Sequence, residues 1–366
     1  MRLKHIFISS FRNILQAEVA PHERFNILYG MNGQGKTNFL EAIFLLGTMK
    51  SFRMAKNQDL VAWGSQQALI NGMVEKDGSS REISLLIGGE GRKVRIDRKP
   101  VIKLADFFGA VNCVVFSPEE ITMARGAPEQ RRRYLDRAVF SSDASYLAIH
   151  HDYHRVLKHR NAMLRRGERE GLDIWSDKLA DCGARLMERR AAYLDGIRPL
   201  MQGFYRELAG SGENADLIYH PQAADEFAAS SSCRSVLRQL LARREQEELR
   251  RGVSLAGPHR DDVEFLLNGR LLRLHGSQGQ QRSFVLALKM AEIEYLQQQH
   301  GAPPVLLLDD MTSELDERRN RNLMEYLNNK AMQVFVTTTD PRNLKTDSME
   351  DYAGFHVEHG IVTRKR

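Results

Sequence analysis

The sequence predicts an α/β fold in which a strand, loop and helix core carries an antiparallel β-subdomain and an inserted α-helical lobe. Three observations predict it. A strand pattern at Phe25–Tyr29 runs through a glycine-rich turn into a helical run from Asn38 to Met49. Short alternating segments from Ala68 to Arg98, broken by Asp77-Gly78 and by Gly88-Gly89-Glu90-Gly91, read as a hairpin meander. Helix formers then dominate from Ser117-Pro118-Glu119-Glu120 to Gly252, after which strand patterns return.

Taken in order, Leu3, His5 and Phe7 alternate as an opening strand, and Val111 to Phe116 reads as a buried one. Pro128 stands at a helix start, and Tyr134–Phe140, Ser145–Leu164, Asp173–Leu208 and Cys233–Arg251 show helical spacing of apolar residues. Val263–Leu267 and Arg270–Leu274 flank Asn268-Gly269, a two-residue hairpin turn. A helix is expected from Gly279 to Gln298, buried parallel strands at Val305–Leu308 and Gln333–Val336, and a helix from Arg318 to Asn329 between them. Residues 1–118 and 253–366 are therefore expected to form one lobe, interrupted by a helical lobe at 119–252.

At 366 residues the chain exceeds one typical domain, and 42% hydrophobic with 27% charged residues matches an ordinary soluble protein. Met1-Arg2-Leu3-Lys4-His5 leads straight into a strand pattern, and no apolar run approaches the roughly 18 residues of a membrane span. Cys113, Cys182 and Cys233 are odd in number, scattered and without histidines at metal spacing, which argues against a disulfide framework and against zinc. A soluble cytoplasmic protein is the expectation. The net charge of +6 favours a polyanionic partner. Its distribution says more: 16 Lys and Arg stand against 10 Asp and Glu in residues 1–118, 23 against 21 in 119–255, and 14 against 16 in 256–366. Arg92, Lys93, Arg95, Arg98, Lys99 and Lys103, alternating with Val94, Ile96 and Val101, predict a strand with a basic face.

Gly30-Met31-Asn32-Gly33-Gln34-Gly35-Lys36-Thr37 matches G-x-x-x-x-G-K-[ST] between a strand and a helix, where a phosphate-binding loop must stand. Glycines let successive N–H groups converge on phosphates, and the helix N-terminus adds its positive dipole end. Lys36 is expected to neutralise the β- and γ-phosphates of ATP, and the Thr37 hydroxyl to hold magnesium. A chance glycine-rich turn is the bland alternative, and the flanking strand and helix argue against it. Val305-Leu306-Leu307-Leu308-Asp309-Asp310 is an apolar strand ending in two acids, as in a Walker B motif. Asp309 would support magnesium, and Asp310 would orient or deprotonate the attacking water with shorter reach than a glutamate, so turnover should be slow.

Ser277-Gln278-Gly279-Gln280-Gln281-Arg282 opens the helix before that strand. Alone it reads equally as a helix cap. A phosphate loop, a long insertion, S-x-G-x-Q at a helix start, Walker B and then Ser313-Glu314-Leu315-Asp316 resemble the order of ABC-class ATPases. In that class the Ser277 hydroxyl and Gly279 N–H would bind the ATP held by a second subunit, sandwiching two ATPs between two heads. Val336-Thr337-Thr338-Thr339-Asp340 lies where many such ATPases carry a switch histidine; here only hydroxyls are available to a γ-phosphate or its water.

Other segments resemble the RecF family: Leu3 to Asn13 ending Ser10-Phe11-Arg12-Asn13, Phe116-Ser117-Pro118-Glu119-Glu120, Gly126 to Asp136, and Gly257-Pro258-His259-Arg260-Asp261-Asp262. The resemblance covers nearly the whole chain and implies an ABC/SMC-type P-loop ATPase head that dimerises on ATP. It further implies weak DNA-stimulated ATP hydrolysis, DNA binding at gaps, and work with RecR and RecO to load recombinase. Asp261 and Asp262 are either structural or at the ATP site or dimer surface, and Arg53 is either near the phosphates or an ordinary surface arginine. DNA contact is expected at Arg92, Lys93 and Arg95 and at Arg131 to Arg133, mainly through phosphates. A transporter ATPase subunit shares the nucleotide motifs, but the helical insertion and basic first lobe argue against it. An SMC-type chromosome-structuring head needs far longer arms than two of about 25 residues, which reach only about 37 Å. A P-loop kinase lacks the paired logic of Ser277 and Asp309.

Overall fold

The structure is a computed structural model that describes residues 1–102, 107, 109–209, 212–222, 224–228, 232–310, 315–344 and 352–365. The chain divides into two compact units, one of Met1–Thr122 with Gln278–Arg366 and one of Met123–Ser277.

The first unit opens with β1 (Arg2–Phe11), β2 (Ile14–Val19), β3 (Phe25–Tyr29) and helix α1 (Lys36–Thr48). A short α2 (Asn57–Leu60) leads to the meander β4 (Gln67–Lys76), β5 (Ser79–Gly88), β6 (Gly91–Ile96) and β7 (Lys99–Pro100), followed by β8 (Cys113–Phe116) and α3 (Pro118–Thr122). The antiparallel sheet runs β2-β1-β4-β5-β6-β7. Its inward residues alternate, as at Ala68, Ile70 and Val74 on β4, because one face is solvated. Helix α1 packs on β1, β4 and β5 of this sheet and on strands of the second sheet of the unit, so every residue from Phe39 to Leu46 is buried and all but Glu41 are apolar.

The second unit holds α4 (Pro128–Ser142), α5 (Tyr146–Arg166), α6 (Leu172–Ala209), β9 (Ala215–His220), α7 (Ala224–Ala228), α8 (Cys233–Arg251), β10 (Asp262–Leu267), β11 (Arg270–Leu271) and α9 (Leu272–His275). This differs from an all-helical middle ending at 252. β9 pairs antiparallel with β10 from Asp262↔His220 to Leu267↔Ala215, so the hairpin after residue 253 completes a three-stranded sheet inside this unit. β11 also stops short of Leu274. Leu272 is fully buried while Leu274 is 62% exposed, a split a strand cannot make because residues two apart share a face.

The chain returns to the first unit with α10 (Gln278–His300), β12 (Val305–Leu308), α11 (Glu317–Asn328), β13 (Val334–Thr338), β14 (Tyr352–Glu358) and β15 (Ile361–Arg364). The second sheet of that unit runs β15-β14-β3-β13-β12-β8, parallel except for β15. β8, β12 and β13 are buried throughout, the continuous apolar runs of a sheet covered on both faces. Ligands of such sheets bind beyond the carboxyl ends of the strands, and there the ends of β3, β12 and β13 lie side by side.

Candidate functional site

After Tyr29 the backbone turns through Gly30, Met31, Asn32, Gly33, Gln34 and Gly35 into α1. Gly30, Gly33 and Gly35 have φ of +148°, +78° and +115°, a region closed to most side chains. At Gly30 space forbids one as well, since a Cβ would lie 2.2 Å from the Val357 carbonyl oxygen on β14. The loop is clamped from outside. The Gln34 carbonyl accepts from Asn13 Nδ2 at 3.0 Å and from the Gly360 N–H at 2.9 Å, while Gln34 Oε1 accepts from the His359 N–H at 2.7 Å. Two turns, one after β1 and one between β14 and β15, thereby hold the amides at the start of α1 in place for an anion.

Lys36 is buried, and its Nζ donates to the carbonyls of Gly30 at 2.5 Å and Met31 at 2.9 Å. Burial lowers its pKa, opposed by the charges of Asp310 and then Asp309. Asp309, at the end of β12, is buried, and one oxygen, Oδ1, accepts from Thr37 Oγ1 at 2.9 Å and from Thr337 Oγ1 at 2.8 Å. Burial pushes its carboxyl above the usual range, while Thr337 and then Thr37 pull the other way. Asp310 is exposed with φ +49°, and its N–H donates to Thr337 Oγ1 at 2.9 Å. The structure thus brings together Lys36, Thr37, Asp309, Asp310 and Thr337. A hydroxyl and a carboxylate oxygen 2.9 Å apart are hard donors that fit magnesium.

The threonine role differs from the expectation. The Thr337 hydroxyl proton goes to Asp309, so this side chain anchors the Walker B carboxylate. Thr338 is buried and donates to the Asp340 carbonyl at 3.0 Å, and Thr339 is exposed. In the signature segment Ser277 is exposed, and a Cβ on Gly279 would meet the Arg319 guanidinium at 3.2 Å. Arg319 donates to Ser283 of α10 at 2.7 Å and pairs with Asp316, which caps α11 by accepting from the Arg319 N–H. Ser313 and Glu314 lie outside the described residues, as does Lys103.

Asp261 and Asp262 are engaged within the second unit. Asp262 takes a bidentate pair from Arg131, at 2.9 and 2.7 Å, and Asp261 accepts from Tyr219 at 2.5 Å and the Gln222 N–H at 3.1 Å. Their neighbour His259 is hydrogen-bonded to Tyr153 at 2.5 Å, and burial lowers its pKa to about 4. Arg131, only 3% exposed, is therefore a fold-holding residue and not part of the expected DNA surface. Arg132 donates to the Asp261 carbonyl at 2.7 Å, and Arg133 pairs with Glu129. Arg92 also leaves the basic face, turning half-buried to Asn57 at 2.9 Å, whereas Lys93 and Arg95 are exposed on the other side of β6. Arg53 is exposed and reaches Asn38 in the first turn of α1 at 3.2 Å.

Sequence reasoning missed the buried Glu41 of α1, held by Arg12 at 2.8 and 3.0 Å and by the Ser51 hydroxyl. Arg12 lies in the segment Ser10-Phe11-Arg12-Asn13 and Ser51 stands two residues before Arg53, so the signal was present without its target.

The fold and the P-loop, Walker B and signature segments define the class: an ABC/SMC-type P-loop ATPase head. The family described as RecF/RecN/SMC N terminal domain matches residues 2–363. The DNA replication and repair protein RecF of Geobacter sulfurreducens is 60% identical over 363 residues, covering 99% of this chain and 100% of its own length. A solved structure of the recombination mediator protein RecF-ATPrS in the RecFOR pathway matches with a TM-score of 0.90 and 32% identity over 100% of this chain and 98% of that one. An Smc head domain from Pyrococcus furiosus, 12% identical with a TM-score of 0.55 over 99% of this chain and 95% of that one, shares the fold alone. The chain belongs to the RecF family.

Proposed function

We propose that this protein is an ATP-dependent, DNA-binding recombinational repair factor whose heads dimerise on ATP, bind DNA at gaps and help load recombinase with RecR and RecO. The observation that carries the ATP reading is the Asp309 carboxylate gripped by Thr37 of the phosphate loop and by Thr337 of the neighbouring strand. RecF relatives solved as RecF-ATP and RecF-ATPrS, the latter described in the RecFOR pathway, support it.

In this reading the loop amides and Lys36 bind the β- and γ-phosphates, and displacement of the Gly30 and Met31 carbonyls frees the ammonium for them. Thr37 and Asp309 would hold magnesium, which supplies charge neutralisation between the phosphates. Asp310, held in a left-handed conformation by the Thr337 hydroxyl, positions the attacking water; its short side chain and fixed backbone favour slow turnover, so hydrolysis serves as a switch. Ser277 and Gly279 reach the ATP of a second copy. DNA contact falls on Lys93 and Arg95, is made to phosphates, and is salt-sensitive.

The test is the particle mass in solution with and without ATP, for the wild type and Asp310→Asn, with DNA binding on the same samples. ATP-dependent dimers that bind DNA more tightly are expected. Monomers at every ATP concentration, with nucleotide-indifferent DNA binding, would sink the sandwich. Charge reversal at Lys93 and Arg95 that left affinity and salt slope unchanged would sink the DNA placement.

A further inference from the structure

The first unit displays an aromatic side chain that does no packing within it. Trp63 is fully exposed, yet the backbone beneath it is fixed. The Ala62 N–H donates to the Ser10 carbonyl at 2.8 Å and the Arg12 N–H to the Leu60 carbonyl at 2.9 Å, tying this segment to β1 on both sides. The Ser65 N–H closes a turn onto the Ala62 carbonyl at 3.0 Å, with Gly64 at φ +79°. Positive φ at the third position and not at the second is the type II form, which explains the glycine and leaves Trp63 on the rigid corner.

Trp63 lines an open groove of about 540 Å³ with Lys56, Asn57, Gln58 and Gln66, bounded by Gly88 and Gly89 of the β5–β6 turn. No described lining residue is acidic. Arg92 donates to Asn57 Oδ1 at 2.9 Å, which fixes the amide's oxygen end and adds positive charge behind it. A flat indole face, side-chain amides that donate and accept, and a lysine together match a planar heterocycle with polar edges on a phosphate chain. In duplex DNA the faces of internal bases are covered by their neighbours, so only an unpaired base offers a face to the indole.

We propose that this groove receives one unpaired base of single-stranded DNA, stacked on Trp63 and contacted by the surrounding amides, with Lys56 on the adjoining phosphate. The proposal rests on the DNA-binding reading above and adds the feature of DNA that is recognised: the unpaired nucleotide beside a gap.

The chain has two tryptophans, so Trp175→Phe leaves Trp63 as the sole indole reporter. The experiment titrates the Trp175→Phe protein, with ATP, with a thymidine oligonucleotide and with a relaxed, covalently closed circular duplex that has neither free ends nor unpaired loops, reading indole fluorescence. In parallel, the affinities of wild type, Trp63→Ala and Trp63→Phe are compared on both DNAs. Quenching by the single strand only, a loss of about tenfold or more for Trp63→Ala on the single strand only, and retention by Trp63→Phe are expected. An equal loss on both DNAs would overturn the proposal. So would unchanged affinity on both, which would leave an exposed indole of the kind that seats in a protein partner. Failure of the wild type to bind either DNA would instead remove the DNA reading and this inference with it.

Discussion

Replacing Thr337 by valine tests the role of this residue as the Walker B anchor. Valine keeps the shape and removes one hydroxyl that donates to Asp309 at 2.8 Å and accepts from the Asp310 N–H at 2.9 Å, at a side chain 1% exposed. A hydrogen bond to a charged group contributes about 1.5–3 kcal/mol and a neutral one about 0.5–1.5. The two together predict a loss of about 2–4.5 kcal/mol, and with an unfolding entropy of about 2.1 cal/mol/K per residue over 366 residues, a fall in Tm of roughly 3–6 °C. Function should change in a second way. Hydrogen bonding from Thr337 is the foremost influence holding the Asp309 carboxyl down against burial, so its removal moves that carboxyl further up and shifts the acidic limb of ATP turnover to higher pH. Thr337→Ser, which keeps the hydroxyl, should retain most of both properties. Thermal unfolding and a pH profile of phosphate release under saturating ATP measure them. If valine and serine behaved alike, or if valine lowered Tm without moving the acidic limb, the assignment of Thr337 to Asp309 would be refuted.

Asp309→Asn presents an oxygen to the same two threonines while removing a buried charge. Because folding raises the Asp309 pKa above its ordinary 3.8, the native aspartate contributes stability at pH below 3.8 that is lost as pH rises through its folded value. The Tm of Asp309→Asn relative to wild type should therefore climb with pH and then level off while ATP turnover is lost; a constant difference from pH 4.5 to 8 would contradict this. In the second unit, Glu248→Gln leaves the fully buried Arg160 without its carboxylate partner, now 2.6 Å away, and should cost about 3–5 kcal/mol in urea unfolding, against little change if the pair were solvated. Gly30→Ala drives a methyl into the Val357 carbonyl at 2.2 Å, so nucleotide binding measured by calorimetry should be abolished; wild-type affinity would show that the loop is free to move from β14.

Much of the site was legible because its chemistry resides in contiguous backbone. A phosphate loop must be a glycine-rich run between strand and helix, and Walker B must be an apolar strand ending in acids, so both can be read locally. Thr337 could not be read this way. Three consecutive threonines give no local signal of which hydroxyl meets Asp309, a contact set by the register Leu308↔Val336 across the sheet. The β9 strand was lost for a related reason: Ala215–His220 is short, lies among helix formers, and gains its strand identity from β10 some 40 residues later, as the pairing His220↔Asp262 requires. The basic face of β6 divided because period-two alternation places Arg92 with Val94, against the body of the unit, and leaves only Lys93 and Arg95 outward.

The placement of β3 has a consequence for biosynthesis. Both of its neighbours, β13 and β14, come from the last part of the chain, and 308 residues separate Asn26 from its contact at Val334. At about 5–20 residues per second a ribosome needs roughly 15–60 s to supply them after the phosphate loop itself has emerged. Throughout that interval the strand carrying the loop has two open edges, and every strand and helix of the second unit is made before β13 and β14 arrive to close them. An incomplete chain therefore holds the nucleotide motif without a nucleotide site. Competence to bind ATP is expected only once β13 and β14 have joined β3, after the second unit has been made.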